Sequence, residues 1–232
     1  MDPELLTRSA HARSQGVAQR ADRPRQRRST EPAGSRASVH VSGVKMNLRA
    51  AGTEEGGPLH FTGYASVYER GYEMWDYYGP YTEIVEAGAG AASLARADLD
   101  VPLVLQHQTL RRIARTTNGT LTLTEDETGL HVDAPALDPL DQDVAYIAPK
   151  LRSQLIDEMS FMFRIEVGQW SPDYTEYRIK RYDIHRGDVA IVGYGANPWT
   201  SGHSDLRGHA APTNLRVDLG ITTDETRMLA FL

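Results

Sequence analysis

EMSFMFRIEV, residues 158–167, carries the alternation that decides the fold class. At period two, Met159, Phe161, Phe163, Ile165 and Val167 share one face, while Ser160, Met162, Arg164 and Glu166 share the other. This is the signature of a strand with one side anchored in a core. Ser160, on the opposite side, is then expected to be rigidly held and still reachable, two properties that a nucleophile needs. A second apolar run, VLQHQ (104–108), reads as a strand that delivers His107 at its end.

Outward from these two runs, most of the chain reads as extended. HFTGYASVY (60–68) is a strand, and Val39, Val41 and Val44 begin an imperfect alternation before it. YEMWDYYGPY (72–81) is aromatic and acidic with Gly79-Pro80 as its turn signal, and suits a groove or contact surface as well as core. AGAGAASLARA (87–97) is a loop entering a short helix. Residues 101–134 form a meander, with a tight turn at Asn118-Gly119 and a second turn between TLTLTE (120–125) and LHVDA (130–134). The period then changes. Val144, Ile147, Leu151 and Leu155 recur at helical spacing, and Pro149 is expected to kink or split that helix. Two further strands are expected at 174–184 and 189–192, followed by a Gly-, Ser-, His- and Pro-rich linker and a short tail. Antiparallel strands with two helical insertions point to a barrel or sandwich flanked by helices. No Gly-rich phosphate loop joins a strand to a helix, which disfavours a doubly wound nucleotide-binding fold.

Composition narrows the function classes. The 232-residue chain has no cysteine, which excludes disulfides, thiol nucleophiles and thiolate metal sites. Its formal net charge of −6 argues against nucleic acid as the main partner of the folded part. No apolar run reaches the length of a membrane span, so a soluble protein made in a cytoplasm is expected. Charge is uneven, with eight arginines within residues 1–36 among few apolar residues. That segment reads as a disordered basic arm. It is either a docking element for an acidic surface or nucleic acid, or an untethered tail, with Met46 as an alternative start. No spacing of histidines and carboxylates suits zinc, and no cofactor motif is present.

A serine hydroxyl needs a base within hydrogen-bonding distance, and the base needs an orienting partner. His107 is the natural base for Ser160, since histidine titrates near the operating pH. For the third position Asp188, His185 and Asp183 all stand as candidates beside the strand DVAIV (188–192).

The order of segments resembles the prohead (capsid maturation) protease family of tailed bacteriophages. GYASVY (63–68) resembles its Gly-x-Ala strand, GAGAASL (88–94) its Gly-Ala-Phe-x-x-Ser-Leu segment, and VPLVLQHQ (101–108) its strand ending in histidine. TLTLTEDETGLHVDA, EMSFMF and DVAIVGYGANP (188–198) follow in the family's order, so that the likeness covers about residues 47–200. Gly90 stands in place of an aromatic, Ala190 of a small hydroxyl residue, Gly195 of a common proline, and Met162 of a frequent glycine.

The resemblance implies a mainly β (α+β) fold, a closed antiparallel β-barrel ringed by helices, like the herpesvirus assembly proteases. It implies Ser160 as nucleophile, His107 as base and Asp188 as third member, with no cofactor and no metal. It also implies a serine endopeptidase acting on the major capsid protein and its scaffold segment inside the procapsid, in the host cytoplasm, and on itself, with the linker near 200–214 as one cleavage site. A homo-oligomer is expected. The expected organisation is an arm over 1–45, a protease domain over 46–200, and a linker and tail over 201–232. Arg178 and Arg181 are conceivable oxyanion donors. The rival reading is a non-catalytic capsid-assembly module that binds scaffold. A serine esterase is disfavoured by the missing Gly-x-Ser-x-Gly elbow.

Overall fold

The computed structural model describes residues 2–20, 37–41, 47–50 and 57–193. In chain order the elements are helix α1 (Pro3–Ser14) and strands β1 (Ala37–Val41), β2 (Asn47–Ala50), β3 (Leu59–Val67), β4 (Tyr72–Asp76) and β5 (Gly79–Val85). Helix α2 (Ala91–Leu94) and strands β6 (Pro102–Leu105), β7 (Arg112–Arg115), β8 (Thr122–Glu125) and β9 (Gly129–Leu137) follow. Helix α3 (Gln142–Arg152) precedes the long strands β10 (Glu158–Trp170) and β11 (Glu176–Val192). The expected linker, tail and self-cleavage segment, Met46 and Gly195 lie outside the described residues.

These strands form two sheets. The larger runs β1-β10-β11-β5-β4, with β6 pairing β11 and β7 pairing β6; the smaller runs β2-β3-β9-β8. The expectation of a closed antiparallel barrel is therefore corrected: among the described residues both sheets are open, and the larger one is mixed. The reason lies in β11. At 17 residues it is long enough to take two parallel partners on one edge, β5 at Glu176–Ile179 and β6 at Val189–Ile191. Between those partners α2 and its flanks complete the edge. Ala89 O accepts from Tyr182 N (3.0 Å), and Ser93 Oγ accepts from Ile184 N (3.0 Å). Backbone groups that would otherwise be orphaned are thus paired without closing the sheet.

The alternation in β10 holds where it matters. Met159, Phe161, Phe163 and Ile165 are buried, with the Phe161 and Phe163 rings stacked at 4.2 Å and Tyr182 edge-on to both. The expected strands at 174–184 and 189–192 are one strand, β11, interrupted by a bulge. Opposite Met162–Arg164, β11 runs from Asp188 back to Asp183, so Ile184–Gly187 are the extra residues of the bulge, with Ile184 packed in the core. The segment 72–81 folds as the β4–β5 hairpin and sends Tyr72, Met74 and Tyr81 into the core; Tyr77, at its tip, is 94% exposed.

Helix α3 is single. Asp141 caps its start by accepting from Asp143 N and Val144 N (2.8 and 3.1 Å), and Pro149 lies inside the helix without splitting it. Leu155 lies beyond the helix and is 75% exposed, so it does not extend the apolar stripe.

Part of the segment read as a disordered arm has regular structure. Asp2 caps α1, Pro3 occupies its first turn, and His11 and Arg13 lie in its last turn. Arg20 then inserts beside the β4–β5 hairpin. It pairs with Asp76 (2.8 Å), donates to the carbonyl of Tyr174, and lies over the Tyr81 and Trp170 rings. A single buried guanidinium with aromatic faces and a carboxylate compensates for the low apolar content of this stretch.

Candidate active site

Three neighbouring strands bring the site together. Ser160 lies on β10 opposite Ala190 of β11, and Val104 of β6 lies on the far side of Ala190. Asp188 is two residues before Ala190 on the same uninterrupted stretch of β11. His107 follows β6 in a turn closed by Gln108 N to Leu105 O (3.0 Å). Both central residues of that turn are left-handed, Gln106 at φ 54° and His107 at φ 56°. Neither is glycine, so the turn carries a conformational cost at the site. Gln106 N donates to Ile191 O (3.0 Å), which ties the turn back to β11.

The imidazole bridges the other two side chains. Nε2 lies 2.7 Å from Ser160 Oγ, and Nδ1 lies 2.6 Å from Asp188 Oδ1. A carboxylate only accepts, so Nδ1 carries the proton and Nε2 presents its lone pair to the Ser160 hydroxyl. This is the order nucleophile–base–carboxylate of a serine hydrolase triad. Asp183 and His185 are engaged elsewhere. Burial pushes the Asp183 carboxyl up, but bonds from Arg164, from His185 N and from Ser93 Oγ hold it below the usual carboxylate range. His185 Nδ1 accepts from Asp100 N (3.3 Å).

One expectation fails in part. Ser160 was expected to be reachable, yet it has 0% exposure. Its strand face is covered as well: Val104, Ala190 and Val192 form a small buried cluster on that side of β11, apart from the main core. Alternation assigns Ser160 to this face but is silent on what packs over it.

A model of caudovirus prohead serine proteases matches residues 45–212. The chain belongs to that family. No curated protein and no solved structure matches the chain.

Within this prohead protease, the absence of a side chain at Gly90 has a physical explanation. A Cβ at Gly90 would lie 2.2 Å from the Tyr182 hydroxyl, so Tyr182, reaching in from β11, fills the space beside a residue that has no side chain. The Tyr182 hydroxyl in turn meets that of Tyr68 at 3.1 Å, and Gly90 N donates to Glu125 (2.9 Å). Met162 is opposite Asp188 and lines a cavity beside the site. Arg178 and Arg181 are remote from Ser160: Arg178 pairs with Glu69, Glu86 and Glu176, and Arg181 with Glu166.

Proposed function

We propose that this prohead protease is a serine endopeptidase of capsid maturation. It cleaves the scaffold segment of the major capsid protein precursor, and itself, within the procapsid. His107 takes the proton from Ser160 as Oγ attacks a peptide carbonyl. The imidazolium, held by Asp188, then returns that proton to the departing amine, and water hydrolyses the acyl-enzyme by the same route. Irreversible loss of scaffold gives maturation its direction. The observation that supports this reading best is the His107 ring, hydrogen-bonded at one nitrogen to Ser160 (2.7 Å) and at the other to Asp188 (2.6 Å).

The test is co-expression of the full chain with the capsid protein precursor. The Ser160→Ala chain is expected to leave the precursor at full length and to keep its own ends intact by mass spectrometry. Processing that proceeds equally with Ser160→Ala refutes the catalytic reading and leaves the assembly module in its place.

A further inference from the structure

A cavity of about 400 Å³ opens beside the proposed triad, lined in part by Met162, Asp188, Asp100, Arg112, Arg115 and Arg186. It begins close to the reacting atoms. Met162 follows Ser160 by two residues on the same face of β10, about 6.6 Å further along the strand, and its partner across the sheet is Asp188.

Charge in this cavity is unbalanced. Three guanidinium groups face two carboxylates, which leaves one positive charge. Both carboxylates already have partners. Asp188 accepts from His107, and Asp100 accepts from Arg115 in a two-pronged pair at 2.6 Å for each bond. Arg112 and Arg186 form no ion pair among the described residues. Arg112 Nε donates to Thr109 O (2.5 Å), which directs its terminal nitrogens away from that contact. Arg186 sits on the β11 bulge at φ 57°, and its backbone N–H is fixed to Asp100 O (2.9 Å). The fold thus holds this residue at a strained position by its main chain while its side chain remains exposed. Arg115 foremost, then Arg186 and Arg112, hold the Asp100 carboxyl below its usual range, as three guanidinium groups converging on one space would.

An apolar wall of Met162 and Pro102 beneath exposed guanidinium groups suits one kind of side chain, with a short aliphatic stem and a carboxylate end. We propose that this cavity is a substrate subsite that receives a glutamate or aspartate side chain next to the scissile bond. The proposal rests on the protease reading for the position of that bond, and on the cavity alone for the choice of residue.

The full chain is incubated with a mixed-sequence peptide library blocked at both ends, and the cuts are read by mass spectrometry. Glutamate or aspartate is expected at one fixed position from the cut. Matched peptides differing only by Glu or Gln at that position are expected to differ about tenfold in kcat/KM, a ratio that salt lowers. In the Arg112→Gln/Arg186→Gln double variant the Glu-to-Gln ratio is expected to fall to near one. Cuts without an acidic position, or a ratio that survives the double variant, overturn the subsite.

A chain that cuts no peptide counts against the protease reading instead, and binding then decides the subsite. Full-length Ser160→Ala protein is expected to hold Glu-containing peptides from the same library about tenfold more tightly than their Gln counterparts in fluorescence anisotropy. Equal affinity refutes the proposal.

Discussion

Replacing Asp188 by asparagine keeps the size of the side chain and removes its charge. In the resting arrangement the His107 ring is neutral between a hydroxyl and a carboxylate. Once Ser160 gives up its proton the ring is an imidazolium, and a full charge pair faces across a 2.6 Å hydrogen bond. With charge centres about 4 Å apart and an effective dielectric constant of about 20, that attraction is about 4 kcal/mol. Water cannot replace it, because the Asp188 side chain is only 3% exposed. The amide adds a second penalty. Its NH2 group can donate to Nδ1, which favours the tautomer with hydrogen on Nε2 and leaves no lone pair for the Ser160 hydroxyl. The charge effect alone is about a 10³-fold loss, and the wrong tautomer carries it toward the roughly 10⁴-fold seen for aspartate-to-asparagine changes in serine protease triads.

The assay is cleavage of a peptide spanning the cut site of the capsid precursor by purified full chain, with kcat and KM measured separately. Asp188→Asn is expected to lower kcat by about 10³- to 10⁴-fold with KM nearly unchanged, since the lost interaction develops only in the transition state. Asp183→Asn weakens the contact with Arg164 and Ser93, so its expected effect is on stability, with kcat within about tenfold of the parent. An Asp188→Asn chain that keeps more than a tenth of its kcat, or an Asp183→Asn chain that loses more activity than Asp188→Asn, refutes the reasoning.

Other perturbations test the scaffold. Glu83 is buried with its carboxylate against the Tyr72 hydroxyl; burial raises its pKa to about 7 from 4.5, against the opposing effect of that hydrogen bond. Its contribution is therefore complete below about pH 4.5 and is lost as pH rises through about 7, a decrease of about 3 kcal/mol or roughly 6–12 °C in Tm. Thermal melts of the parent and Glu83→Gln at pH 5 and pH 8 check this, and an equal gap between them at both pH values contradicts it. Arg20→Ala leaves Asp76 without its buried partner and empties the space over Trp170; a loss of about 3 kcal/mol by urea unfolding is expected, with earlier proteolysis within α1. Gly90→Ala forces Tyr182 aside and is expected to cost about 1–3 kcal/mol by the same measurement.

The sequence was most legible where one strand face packs on a core and its neighbours are close in the chain. The β8–β9 hairpin is such a case. Leu123 faces Val132, and Asp126 Oδ1 caps the turn by accepting from Thr128 N and Gly129 N (2.7 and 3.0 Å). The anchored face of β10 is another. Parallel pairing was not legible, because β5 and β6 meet β11 from 94 and 86 residues away (Glu176 with Thr82, Val189 with Leu103), and no local pattern encodes a partner. That long-range pairing is why an expected barrel is two open sheets. Polar residues at 185–188 looked like the end of one strand and the start of another. They form a bulge within a single strand, and a bulge changes register without changing composition.

The choice among Asp188, Asp183 and His185 turns on position along the strand relative to Ser160. Side chains two apart on a strand share a face, so Asp188 stands on the face of Ala190, and Ala190 is the residue opposite Ser160. Asp183 lies across the bulge, opposite Arg164 on that same face but further along the strand, and His185 lies within the bulge. Only Asp188 belongs to the regular stretch that runs level with Ser160 on one side and with Leu103–Leu105, the approach to His107, on the other. The bulge then separates two acidic environments within six residues of one strand. Asp183 is held by Arg164 and Ser93 beneath α2, whereas Asp188 is turned to His107 beside a cavity whose spare positive charge comes from Arg112 and Arg186. Deleting one residue from the bulge would shift the register of Asp188 against that of Asp183 and Arg164 without altering any of these side chains. The geometry at His107 therefore depends on the length of Ile184–Gly187 as much as on the identity of the acid.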